Sequence, residues 1–109
     1  MKISPQNFGL ALGGYLEQEL APKSDGVRKV VLYMTIPVLT AKMPEVIRDF
    51  QQPLEWLGAW TQDGFIEMDV LYPALKDAVH KSGTVPIMGI LFDESDVDKV
   101  YAMARQFAQ

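Results

Sequence analysis

The chain has 109 residues, no cysteine and a formal net charge of −4, and 49% of its residues are hydrophobic. This length is typical of one domain with its own core, so we predict a single globular domain over residues 1–109, and the lack of thiols excludes disulfides and zinc fingers. Residues 63–109 carry eight acidic and four basic side chains. A nucleic-acid surface needs the opposite sign, so we expect no nucleic-acid partner.

The first predicted helix covers residues 5–20. Ser4 can cap its start, and Pro5 suits the first helical position. Gly13 and Gly14 lie in the middle of this helix, where glycine is unfavourable. Their presence there indicates either a bend in the helix or the close approach of another backbone, and we favour close packing.

The segment from Val27 to Met43 is compatible with two structures. Val30 to Ile36 has the β-branched composition of a buried strand, but the length of the whole apolar segment favours a helix. Apolar side chains surround such a helix, so we expect a central element that is buried on nearly all sides. The alternative is an α+β fold in which Val30 to Ile36 forms a strand.

Two prolines are predicted to begin the next two short helices, one at Pro44 and one at Pro53. Trp56 and Trp60 would then share one face of the second helix, with Phe50 nearby. Tryptophan is enriched at protein interfaces. These three aromatic residues are therefore the candidate interface.

The second half of the chain contains two better-defined helices. One covers residues 69–81 and ends at Gly83, and the other starts in the acidic run from Asp93 to Asp96. Residues 65–68 and 85–92 have extended character and are predicted to pair in one short two-stranded β ribbon. The fold class is therefore mainly α, a compact helical domain of five to six helices with room for this ribbon.

A short sequence echo links these two helices. The segments Asp69-Val70-Leu71-Tyr72 and Asp98-Lys99-Val100-Tyr101 both have tyrosine three residues after aspartate. The echo predicts two helical units with matching starts.

The order of elements from Gly64 onward resembles the second half of an EF-hand followed by part of another. Asp63 to Glu67 would form the centre of the calcium loop, with Gly64 at its sharp turn. If Gly64 is loop position 6, positions 1 and 12 fall on Ala59 and Val70, which lack the carboxylates that calcium needs. The resemblance therefore implies at most a degenerate EF-hand-like domain with vestigial or weak cation binding.

Residues suited to catalysis are few. His80, the only histidine, lies near a helix end, where a surface position is typical. Asp93, Glu94, Asp96 and Asp98 lie at a helix start, where carboxylates stabilise the helix without any ligand. Neither a nucleophile elbow nor a phosphate-binding loop is present. We therefore expect no catalytic, metal-binding or cofactor-binding residues, and a protein that is not an enzyme.

By elimination, the sequence favours a small soluble protein that works through contacts with a protein partner or with copies of itself. The first residues lack the pattern of a signal peptide, and the apolar stretch from Val30 to Leu39 is too short to cross a bilayer. We therefore expect a cytoplasmic protein without a membrane partner. Besides the EF-hand-like alternative, a small-ligand binding protein is the second alternative. Its pocket would use dispersed residues such as Tyr15, Tyr33, Tyr72, Tyr101 and His80.

Overall fold

Helices make up most of the computed structural model, which describes residues 1–87 and 89–108. Within these residues the α-helices are α1 (Pro5–Tyr15), α2 (Gly26–Asp49), α3 (Gln51–Trp56), α4 (Met68–Ser82) and α5 (Glu94–Arg105). The strands are β1 (Lys2–Ile3), β2 (Ile66–Glu67), β3 (Val85–Ile87) and β4 (Ile90–Phe92). The predicted mainly α class with short ribbon structure is confirmed.

Helix α1 begins where the sequence predicts. The backbone N–H of Asn7 donates to the side-chain oxygen of Ser4 at 3.1 Å, which satisfies one of the free amides of the first turn. After α1 the helical path continues as a π-helical turn, Leu16–Leu20, and a 3-10 turn, Ala21–Lys23. The helical segment predicted over residues 5–20 is therefore present, with a wider last turn.

Helix α2 is longer than predicted, and it continues through two prolines, Pro37 and Pro44. The expectation that a new helix begins at Pro44 is wrong. Met43 and Ile47 are buried on either side of Pro44, so packing holds the helix together where a backbone hydrogen bond is missing. The strand alternative for Val30 to Ile36 is also wrong, because this whole segment is helical.

Helices α1 and α2 pack closely because two glycines of α1 face α2. A Cβ atom added at Gly9 would lie 2.5 Å from the Cβ of Met43, and one added at Gly13 would lie 2.7 Å from the Cγ2 of Thr40. No side chain fits at such distances. The predicted close approach at Gly13 is confirmed, whereas a Cβ at Gly14 would meet only Met103, at 3.8 Å.

The β structure differs from the predicted ribbon, and the pairing of residues 65–68 with residues 85–92 is wrong. Strand β2 pairs with β1 instead, with Ile3 opposite Ile66. Strands β3 and β4 pair with each other as a hairpin. Both isoleucines are fully buried, so the first pairing is fixed by core packing between distant parts of the chain, which local sequence patterns do not report.

Helices α4 and α5 have the predicted ends. Gly83 follows α4 with a φ angle of 82°, a conformation that favours glycine. Asp93 and Asp96 form a reciprocal capping box at the start of α5, in which each side chain accepts the backbone N–H of the other at 2.9 Å.

The sequence echo appears in the structure as a reciprocal contact between α4 and α5. Tyr72 donates a hydrogen bond to Asp98, and Tyr101 donates one to Asp69 at 3.3 Å. The two tyrosine rings stack with their centroids 4.2 Å apart. The tyrosine of each echoed segment thus donates a hydrogen bond to the aspartate of the other segment. The expectation of matching helix starts is only half right, because Asp69 lies in the first turn of α4 whereas Asp98 lies inside α5.

The core lies where α1 meets α2, α4, α5 and the two ribbons. The radius of gyration is 13.3 Å, which matches the value of about 13 Å expected for a compact chain of this length. The largest fully buried side chains are Ile3, Leu12, Leu16, Leu39, Met43, Ile66, Met68, Phe92 and Val97.

Candidate functional site

The most unusual surface of the molecule is one side of the first four turns of α2. Its side chains are apolar, recur at helical spacing and are at least half exposed. We call this surface the outer face of α2. Its residues and exposed fractions are Val27 80%, Val30 57%, Val31 53%, Met34 71% and Val38 50%.

The exposure of this face does not come from a loosely packed fold. The accessible surface of the chain is 6219 Å², close to the roughly 6,100 Å² expected for a folded monomer of this mass. The opposite side of α2 is buried through Leu32, Leu39 and Met43, and it is held against the glycines of α1. Helix α2 therefore cannot rotate to bury its outer face without losing its inner packing.

The last turns of α2 carry charged residues on the same side, as is typical of a helix that faces solvent. From residue 42 onward, the same side of the helix carries Lys42, Glu45, Arg48 and Asp49, all exposed. The segment from residue 30 to residue 41 contains no charged residue. The apolar surface is thus bounded at both ends, with Arg28 and Lys29 near its start.

A groove of about 450 Å³ extends the outer face of α2 toward the β3–β4 hairpin. Arg28, Val31 and Leu32 line it from α2, and Ile90 and Leu91 line it from β4. Leu91 is 61% exposed. The apolar surface therefore spans two elements of the fold.

The expectation that α2 is buried on nearly all sides is wrong. In the described part of the chain, α2 is the one helix that is long and apolar enough to cross a membrane by length and composition. A window of 18 residues within it has a mean hydropathy of 1.4. Only 22% of that apolar window is buried inside the protein. A helix at the centre of a soluble core would be mostly buried.

The three aromatic residues of the candidate interface differ in exposure and in secondary structure. Trp56 is 76% exposed and Phe50 is 48% exposed, but Trp60 is only partly exposed and packs against the core. Helix α3 ends at Trp56, and Gly58 with a φ angle of 76° follows. The expectation that both tryptophans share a helix face is therefore wrong, since Trp60 lies in a β-bridge with Ile66.

The acidic cluster at the start of α5 is occupied by internal contacts. Lys76 of α4 lies 2.8 Å from a carboxylate oxygen of Glu94 and 2.9 Å from one of Asp98, and these hydrogen bonds raise the pKa of Lys76. Hydrogen bonds from Tyr72 and then Lys76 lower the pKa of Asp98. The capping interpretation is confirmed for the α5 start. His80 lies largely exposed, with Nε2 3.8 Å from Glu94.

The tyrosines considered for a ligand pocket are dispersed in the structure as well. Tyr72 and Tyr101 stack on each other, whereas Tyr33 is exposed on α2. Tyr15 is buried and donates a hydrogen bond to Asp96. Burial and then this hydrogen bond raise the pKa of Tyr15. These groups do not converge on one cavity.

The segment that resembles an EF-hand loop is a short turn before β2. Gly64 has a φ angle of 82°, and the Thr61 hydroxyl accepts the backbone N–H of Phe65 at 2.9 Å and closes the turn. Asp63 pairs with Lys2 at 3.6 Å. Across residues 1–87 and 89–108, no three His, Asp or Glu side chains come together in a way that could hold a metal ion.

The outer face of α2 was missed by the sequence analysis, although one signal for it is visible. A helix that is apolar on every side needs neighbours on every side. A chain of this size has few elements with which to surround a helix of 24 residues. The combination of length and all-round apolar character therefore indicates a face that this chain does not cover itself.

No protein-family model, no curated protein and no solved structure matches this chain. A functional conclusion therefore depends on the surfaces described above.

Proposed function

We propose that this protein is a self-associating interaction module, and that two copies bind each other through the outer face of α2. The observation that supports it is the row of exposed apolar residues from Val27 to Val38 on a helix whose other side is fixed in the core. Contiguous exposed apolar surface of this kind typically marks a site that another molecule covers.

A second copy suits this surface better than a lipid bilayer does. The apolar side runs from Val27 to Ala41, about 22 Å of helix at the usual rise per residue. The whole of α2 is long enough to span a bilayer core of about 30 Å, but this apolar side alone is shorter than that core. The side of α2 opposite the outer face is also already occupied by α1, so only a narrow strip is left to be covered.

A two-fold pairing uses the strip efficiently, because the same residues are buried on both copies. If two α2 helices cross in antiparallel fashion at Met34, Val30 of one copy lies opposite Val38 of the other. Val27 then lies opposite Ala41. Methionine at the centre adapts its shape to its neighbours, and valines on both sides supply small rigid contacts.

The central test is the association state of Met34→Glu measured by sedimentation equilibrium. The native protein is expected to show a monomer–dimer equilibrium. The charge should raise the dissociation constant by at least about thirtyfold, since a central interface residue contributes about 2 kcal/mol or more. Glu45→Lys is the matched control, because it changes charge on the same side of α2 beyond the apolar strip and should leave the dimer intact.

A crosslinking test distinguishes the outer face of α2 from the exposed Trp56 of the candidate interface. The natural chain has no cysteine, so a single Met34→Cys variant reports one contact. Mild oxidation should join two copies of this variant through Met34→Cys, whereas Trp56→Cys, at a position of similar exposure, should stay monomeric under denaturing electrophoresis.

Two results would contradict the proposal. One is a native protein that stays monomeric at every concentration. The other is a monomer that binds phospholipid vesicles and loses this binding on Met34→Glu, which would assign the outer face to lipid.

A further inference from the structure

A second feature, separate from the outer face of α2, is a cavity of about 160 Å³ at the junction of α1, the end of α2, α3, α4 and β3. Its base is formed by Phe8, Leu12 and Met43, all buried. Ile47 and Leu71 form its sides. The cavity therefore reaches from the surface to the main core.

The entrance of the cavity is open to solvent and stiff. Phe50, Pro53 and Pro86 lie around it, and all three are exposed. Proline fixes its own backbone angle, so two of the three entrance residues have little freedom to collapse inward. The space is thus present without a ligand and reachable from outside.

The lining selects for one kind of ligand. Every residue that lines the cavity is apolar, so a charged or strongly polar group would lose its water contacts there and gain no hydrogen bond to a side chain. Protein interiors leave few spaces larger than a water molecule. An enclosed apolar cavity of about 150 Å³ is large enough to bind benzene, so a space of this volume can hold one aromatic ring.

We propose that this cavity binds one uncharged aromatic ring, carried by a small molecule. The ring would lie on Met43 and between Phe8 and Leu71, with any polar substituent directed to the entrance beside Phe50. A sulfur–aromatic contact with Met43 and edge or face contacts with Phe8 suit a ring better than a saturated chain. This proposal is independent of self-association.

The test is a titration with benzene followed by methyl NMR. We expect saturable shifts of the Met43, Leu12 and Leu71 methyl signals, and no shift of these signals with benzoate, which has the same ring and a negative charge. The Leu75→Phe variant places a ring in the cavity from its half-buried wall and should abolish the benzene shifts. Leu57→Phe is the control, because Leu57 is exposed and lies outside the cavity.

Ile87→Phe, from the β3 side of the same cavity, is the second filling variant and replaces Leu75→Phe if that protein does not fold. The proposal is overturned if benzene produces no saturable shift at the cavity methyls. It is overturned equally if benzoate shifts them as much as benzene does, or if the filled, folded variant keeps the native response.

Discussion

Helices α2 and α5 both pack on α1, but the sides that they expose to solvent differ in polarity. Helix α5 buries Val97, Val100 and Ala104 and exposes residues such as Glu94 and Arg105. Helix α2 also buries one side, but over its first four turns its exposed side is as apolar as its buried side.

The difference shows that burial of one side is enough to place a helix in this fold, and that the character of the other side is free to serve another purpose. In α5 that purpose is solubility and capping, since acidic side chains stabilise a helix start. In α2 the side chains of the exposed side are at least half accessible, so they add little to the core of one copy. Its composition therefore points to a contact outside the single chain.

The same change from valine to glutamate, made once in each helix, tests whether the exposed side of α2 is part of the core. Val100→Glu places a charge at a position that is 3% exposed, and it should destabilise the fold by about 3–5 kcal/mol because the charge is buried without a partner. Val30→Glu should change the unfolding free energy of the monomer by no more than about 0.5 kcal/mol. Urea denaturation at dilutions where only monomer is present measures both. Equal losses would mean that the outer face of α2 is part of the core.

A smaller effect is expected from the glycines that fix α2 in place. Gly9→Ala puts a Cβ atom 2.5 Å from that of Met43 and 2.7 Å from the carbonyl oxygen of Leu39, which should cost about 1–3 kcal/mol through overpacking. Gly14→Ala, in the same helix, meets only Met103 at 3.8 Å and should stabilise by up to about 1 kcal/mol. Thermal unfolding of both variants tests this, and a harmless Gly9→Ala would refute the close α1–α2 packing.

The smallest effect that we expect is a change in how the unfolding free energy depends on pH, and it tests the contact between α4 and α5. The pKa of Asp98 is lowered in the folded protein by hydrogen bonds from Tyr72 and Lys76. This contribution to stability is therefore complete above the ordinary carboxyl pKa of about 4 and is lost as the pH falls through the lower folded value. Asp98→Asn should flatten the acid limb of the unfolding free energy measured against pH.

Self-association should respond differently, because the outer face of α2 has no titratable side chain. Below about pH 4 the dimer should persist while the contact between α4 and α5 weakens. An Asp98→Asn variant with the native acid limb would show that the hydrogen bonds of Asp98 do not contribute to stability.

The sequence predicted the elements that depend on neighbouring residues. Ser4 marks the start of α1, Gly83 the end of α4 and Asp93 the start of α5, because each satisfies free backbone groups within one turn. The end of α2 was not predicted in the same way. Pro44 is a strong local stop signal, but burial of Met43 and Ile47 on both sides of it outweighs that signal.

Two of the errors arise from contacts between distant residues. Whether Met34 is buried depends on how many elements surround α2, and no local pattern around Met34 contains that number. The pairing of β2 with β1 is equally remote in the sequence, since Ile66 meets Ile3. The tryptophan pair failed for a local reason, because Gly58 ends the helix before Trp60.

Strand β1 can pair only after β2 has been synthesised, because a ribosome releases the chain from its first residue onward. Helices α1 and α2 both precede Ile66 in the chain, so they emerge while the position that Ile66 fills beside Ile3 is still empty. A contact between residues so distant in sequence forms more slowly than the local contacts within the helices, so we expect it to form late. Helices α1 and α2 therefore leave the ribosome before the core beside Ile3 can be completed, and this part of the core is closed only when Ile66 arrives.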